Sequence, residues 1–208
     1  MVSLSLSDFA DETASESPAP GGGSIAAFAG VLGASLATMV ANLSSHKKGW
    51  DEQWETFSEW AEKGQYYKNE LLKLVDKDTI AFNRIMEAFA LPKGSEDEKA
   101  ARSTAIQAAT KYAIEVPFNV MQLAYQSMEV IKAMAETGNP NSVTDAGVAA
   151  LMARSAVLGA YLNVKINASG YKDKSYVAKV IAEGATLQQL ALDREVEILE
   201  VVNGNIED

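Results

Sequence analysis

Apolar residues recur at helical spacing along most of the chain, and Val, Ile and Tyr never gather in the alternating runs that a strand needs. Ala, Leu, Glu, Lys and Met dominate these stretches, as helices prefer. The pattern predicts a short first helix over about 4–14, then a loop over 15–23 rich in Ser, Pro and Gly. A second helix, apolar on all sides, follows over about 24–45. A third starts near Asp51, and Trp54, Phe57, Ala61, Leu71, Leu74, Val75, Phe82, Ile85 and Phe89 mark its apolar face as far as Leu91-Pro92. Ser95 followed by Glu98 forms a capping box, which starts the fourth helix there. That helix runs to about Glu136, with a kink expected at Pro117, where one backbone hydrogen bond is lost. Gly138 ends it, the polar run through Pro140 to Thr144 forms a turn, and two more helices are expected over about 144–168 and 175–202.

Two of these helices approach 40 residues, or about 60 Å at the standard rise. Such lengths predict an all-α fold, an elongated antiparallel helix bundle formed by a single domain over 1–208. The second and fifth helices carry small residues at helical spacing: Ala26, Gly30 and Ala34 in one, Ala149, Ala153 and Ala156 in the other. Such surfaces let backbones approach closely. Their burial against a second subunit predicts a homodimer, the commonest assembly.

The chain has 208 residues and a formal net charge of −10, which argues against a nucleic-acid partner, since phosphate recognition needs a concentrated Lys/Arg footprint. It has no cysteine and a single histidine, His46, so disulfides, a thiol nucleophile and a multi-histidine metal site within one subunit are excluded. The uncharged run from Ile25 to Leu43 is just long enough to span a bilayer. Its Ser35, Thr38 and Asn42, its many small residues and its lack of flanking aromatics favour a buried helix instead. No secretory signal is visible, and the cytoplasm is the expected compartment.

Pro20-Gly21-Gly22-Gly23-Ser24 opens directly into the second helix. Three glycines allow the backbone to wrap a ligand, and helix N-terminal N–H groups favour an anion or polar group. Ser24 is read as the N-cap or a direct hydrogen-bond donor. The plainer reading is a tight connection. Asp78 interrupts the apolar stripe of the third helix, and a carboxylate held among apolar groups is pushed toward the pKa of a neutral-pH acid or base. A structural ion pair would explain it equally well. Asn163 and Asn167, four apart on a helix full of Ala, Leu and Val, suit the edge of a heterocycle or hydrogen bonding between helices. Asp145 shares their helix face but lies about 27 Å from Asn163 along the axis. Glu115 and Asn119 flank Pro117, where polar groups gather around a freed carbonyl. His46-Lys47-Lys48 ends the second helix as a cap or as a grip on a carboxylated ligand.

Four segments in register make a more specific pattern: Ser17-Pro18-Ala19-Pro20-Gly21-Gly22-Gly23-Ser24, Asp78-Thr79-Ile80-Ala81-Phe82, Gly138-Asn139-Pro140-Asn141-Ser142-Val143-Thr144-Asp145 and Gly159-Ala160-Tyr161-Leu162-Asn163-Val164-Lys165-Ile166-Asn167. Together they resemble the cyclodeaminase/cyclohydrolase family over nearly the whole chain. The family includes the C-terminal domain of bifunctional formiminotransferase-cyclodeaminase and free-standing methenyltetrahydrofolate cyclohydrolases. The resemblance implies a dimeric, all-α folate enzyme that needs no metal and takes a tetrahydrofolate derivative as substrate. It would convert 5-formiminotetrahydrofolate to 5,10-methenyltetrahydrofolate and ammonia in histidine breakdown, with a separate glutamate formiminotransferase as partner. Cyclohydrolase activity is the closest alternative, and a non-catalytic folate-binding bundle is the alternative from another class. On the family's positions, Asp78 would be the acid/base, with Asp145 as a second catalytic carboxylate. Pro20, Gly21, Gly22, Gly23, Ser24, Asn141, Asn163 and Asn167 would hold the folate, and Lys47 or Lys48 its glutamate tail.

Overall fold

A computed structural model describes residues 1–207. Six α-helices account for most of them: α1 (Leu6–Ala14), α2 (Gly22–Ser45), α3 (Trp54–Ala90), α4 (Glu96–Thr137), α5 (Val143–Ala168) and α6 (Lys174–Glu207). Short 3-10 turns, Asp51–Gln53 and Pro140–Ser142, lead into α3 and α5, and the described residues contain no strand. At 37 and 42 residues, α3 and α4 span about 55 and 63 Å, so the bundle is elongated as expected.

The helix starts follow local chemistry. The Glu98 amide donates to Ser95 Oγ, while Glu98 Oε2 accepts from the Ser95 and Gly94 amides, completing the capping box of α4. In α1, Ser5 Oγ accepts from the Asp8 amide. The start of α2 departs from expectation. Gly21 occupies the N-cap position with no side-chain cap, so the helix begins at Gly22, two residues before Ser24. The last two glycines form its first turn, and Ser24 lies inside the helix, fully buried.

The two most apolar helices, α2 and α5, lie against each other at the centre; α3 packs on α2, α6 on α5, and α4 touches both. The small residues explain why α2 and α5 come so close. A Cβ on Gly33 would meet the Ala149 carbonyl at 2.9 Å, one on Gly159 would meet Ala26, and one on Gly30 would meet Leu71 and Ala156. The stripe that the sequence assigned to a second subunit is therefore consumed within one chain. By length and composition both α2 and the Pro140–Ala168 segment could cross a membrane, and here they are the paired core helices. What they turn outward is a different set of side chains: Leu32, Met39 and Leu43 from α2, and Val148, Leu162 and Ile166 from α5.

On the other side of α5, Arg154 Nε sits 2.9 Å from Glu195 Oε2, and Glu195 is only 7% exposed. Tyr161 donates its hydroxyl to the Ile181 carbonyl at 2.9 Å, its ring filling the space left by Gly184. Removing one member of the ion pair strands the other in a poorly solvated site. Arg154→Met is expected to cost about 2–3 kcal/mol in urea unfolding, and most of the loss should be recovered when Glu195→Leu is added.

Candidate active site

The N-terminus of α2 meets α3 near Asp78, in the half of the bundle where α5 ends. Together they enclose a cavity of about 220 Å³. Its polar wall consists of Gly21, Gly22, Gly23, Asp78, Asn163 and Asn167. Ala81, Phe82 and Ile85 of α3 and Ala113 of α4 supply the apolar side, and Pro18-Ala19 closes one edge.

The first regular bond of α2 runs from the Ile25 amide to the Gly21 carbonyl at 3.1 Å. The amides of Gly22, Gly23 and Ser24 precede it and have no helical acceptor, so the positive end of the helix faces the cavity. Asp78 lies against this turn. A Cβ on Gly23 would overlap both carboxylate oxygens of Asp78, so glycine is needed for the contact. Ser24, fully buried, directs its single hydroxyl proton at Asp78 Oδ2 (2.9 Å) and the Val75 carbonyl (3.2 Å). Burial raises the Asp78 pKa above its ordinary 3.8, while the Ser24 hydroxyl and amide pull it down; burial wins.

The two amides are held by their nitrogens. Asn163 Nδ2 donates to the Gly159 carbonyl at 3.0 Å, and Asn167 Nδ2 to the Ala113 carbonyl on α4 at 2.7 Å. Both oxygens are left as acceptors, since neither receives a hydrogen bond from the described residues. Ala113 precedes Pro117 by four positions, so its carbonyl lacks the regular helix donor. The polar group drawn to the proline is Asn167 from another helix. Glu115, on α4 itself, pairs loosely with Lys111 at 3.8 Å, and Asn119 is exposed.

The sequence candidates thus divide between two ends of the molecule. Gly21, Gly22, Gly23, Asp78, Asn163 and Asn167 come together. Ser24 and Pro20 are buried and do not line the cavity, Ser24 acting from behind Asp78. Lys47 and Lys48 follow the opposite end of α2, about 35 Å away. Lys47 lies over the Trp50 ring at 3.8 Å, while His46 forms the C-cap. The exposed Asn141 is at that same far end, because the Asn139 amide donates to Ser44 Oγ beside the α2 terminus. In this turn the Asn141 amide donates to Asn139 Oδ1. Asp145 is half-buried on the first turn of α5 and lies outside the cavity within one chain. The sequence reading missed Ala113, whose only signal was the proline four residues later.

Comparison with known proteins gives this arrangement a context. The family model described as formiminotransferase-cyclodeaminase matches residues 5–186. The chain belongs to this family. It is 37% identical over 178 residues to a methenyltetrahydrofolate cyclohydrolase of Methylorubrum extorquens, with 86% of each chain covered. It is 32% identical to the formimidoyltransferase-cyclodeaminase of Mus musculus, where the match covers 96% of this chain and 37% of the mouse protein. The crystal structure of formiminotetrahydrofolate cyclodeaminase from Thermotoga maritima superposes with a TM-score of 0.85 at 28% identity, over 98% of both chains. This is therefore a chain of the folate one-carbon cyclodeaminase/cyclohydrolase family, and its all-α fold is that of a solved member.

The raised Asp78 pKa has a consequence for stability. Between the unfolded and folded values, the native state holds a proton that the unfolded chain has released, so stability falls as pH rises through that window and the cost persists above it. Asp78→Asn removes this cost. Its melting temperature should exceed the parent's at neutral pH, and the gap should close as pH drops toward the ordinary carboxylate value. Gly23→Ala, which displaces the carboxylate, should lower the melting temperature instead, and scanning calorimetry across pH reads both.

Proposed function

We propose that this chain is a formiminotetrahydrofolate cyclodeaminase, with Asp78 as the proton-transfer group. The observation that carries the reading is the position of Asp78: a half-buried carboxylate of raised pKa, facing a helix N-terminus in the same cavity as two acceptor amides. In the reaction N10 attacks the protonated formimino carbon on N5 and must lose its proton. The carboxylate of Asp78 takes it. The same proton then passes to the amino group on the tetrahedral carbon, the C–N bond breaks, and ammonia leaves the 5,10-methenyl cation. A raised pKa suits both halves, because the group must accept and return the proton near neutral pH. Ser24 holds the carboxylate in place throughout.

The cavity is smaller than the usual ligand pocket of about 300–1,000 Å³, so it takes the pterin end of the substrate and leaves the rest outside. Toward the start of α4, about 17–21 Å from Ala113 along the axis, Arg102 and Lys99 rim a second cavity together with Lys93 and Lys172. This basic patch is better placed for a glutamate tail than Lys47 or Lys48. The substrate itself would come from a separate glutamate formiminotransferase; the longer relatives' names join a formimidoyltransferase to the cyclodeaminase.

Cyclohydrolase activity is the second reading, favoured by the similarity to the Methylorubrum extorquens protein over most of both chains. There water replaces ammonia at the same carbon and the same carboxylate serves. Supplying 5-formiminotetrahydrofolate and following methenyl absorbance with ammonia release separates the two. Turnover is expected, and Asp78→Asn should reduce it tenfold or more. Silence on this substrate, with methenyl- and 10-formyltetrahydrofolate interconverted, would move the assignment to cyclohydrolase. Silence in both assays would favour a non-catalytic bundle.

We also propose that two copies pair through the outward apolar face of α2 and α5, where Leu162 and Ile166 are 62% and 69% exposed. An antiparallel pairing would carry the far end of one copy, with Asn141 and Asp145, toward the cavity of the other. Light scattering on the purified protein should give a dimer mass, and the double change Leu162→Glu, Ile166→Glu should give a monomer.

A further inference from the structure

Pro117 lies inside α4 and is buried, and it does not line the cavity. Its ring removes the amide that would bond the Ala113 carbonyl and presses that carbonyl outward. Ala113 is only 4% exposed, so water is a poor substitute for the missing donor. The donor present is Asn167 Nδ2, at 2.7 Å from α5. Because the partner is a carbonyl, the amide cannot be turned the other way without setting oxygen against oxygen. Its Oδ1 is thereby left to accept, on a residue that lines the cavity.

Asn163, one turn earlier, offers a contrast. Its Nδ2 donates to Gly159, the carbonyl four residues back in its own helix, which the regular helix bond already uses. Asn167 alone has a carbonyl to itself. Both residues line the cavity with Asp78. Two amide oxygens one helical turn apart suit a flat ligand edge with neighbouring N–H donors, such as a 2-amino-4-oxopyrimidine.

We propose that Pro117 is a positioning residue for ligand recognition: by freeing the Ala113 carbonyl it anchors the Asn167 amide, whose oxygen then reads an N–H edge of the bound heterocycle. The ligand half of this statement rests on the folate reading, whereas the anchoring half does not. Pro117→Ala restores an amide in reach of the Ala113 carbonyl, and alanine is well tolerated in a helix.

Two measurements test the two halves separately. In ¹⁵N spectra, the Asn167 side-chain amide, assigned by its loss in Asn167→Ala, should exchange slowly in the parent and quickly in Pro117→Ala. Titration with 5-formyltetrahydrofolate should show about tenfold weaker binding for Pro117→Ala and for Asn167→Ala, with the double variant no weaker than Asn167→Ala alone. An unchanged Asn167 resonance in Pro117→Ala overturns the anchoring, and so do effects that multiply in the double variant. If the parent binds no folate, the folate reading fails while the amide spectra still decide the anchoring. Should Pro117→Ala not fold, Asn167→Asp serves in its place, since it sets a carboxylate oxygen against the Ala113 carbonyl. Tenfold or greater loss of binding is expected there, and binding equal to the parent's overturns the proposal.

Discussion

The close approach of α2 and α5 is the constraint from which the site follows. Gly30 and Gly33 of α2, with Gly159 of α5, remove the side-chain atoms that would hold the two helices apart. Once the axes are near, the N-terminal turn of α2 and the last turns of α5 share one end of the bundle. The glycine amides and the two asparagines then face a common space. Asp78 enters it from α3 because Gly23 leaves room for a carboxylate where any side chain would collide. Packing and chemistry are therefore set by the same residue type, glycine, acting first along the α2–α5 contact and then at its end.

The polar groups at this end support one another across four helices. Ser24 on α2 is buried and holds Asp78 on α3, while Asn167 on α5 satisfies a carbonyl of α4. Ser24 and Asn167 thus find partners across helix boundaries, whereas Thr79 Oγ1, beside Asp78, is buried without a partner among the described residues. The result is a carboxylate subject to two opposing influences. Burial drives it toward protonation, and the helix end and Ser24 favour its charge.

Much of this was legible in the sequence. The helix count, the capping box at Ser95 and the interruption of an apolar stripe by Asp78 all follow from local rules, and local rules hold when packing agrees with them. The first turn of α2 was misplaced because a glycine run reads as loop by propensity, whereas here its lack of side chains is what lets the helix start against Asp78. The small-residue stripe was recognised and given to the wrong partner, since spacing shows that something approaches closely and not what. Lys47 and Lys48 were separated from the site by the plain length of α2. Asn167 was found without its anchor, because no rule of spacing connects it to a proline fifty residues earlier.

The helix start at Gly22 and Gly23 means that much of the cavity's hydrogen-bond donation comes from main chain. A substitution survey that replaces side chains one at a time would record Asp78 and the asparagines and pass over these amides. They can be moved by a bulky neighbour but not deleted. At Gly22 a small side chain would leave them in place, since a Cβ there meets only Asn163 at ordinary contact distance, whereas at Gly23 none fits beside Asp78.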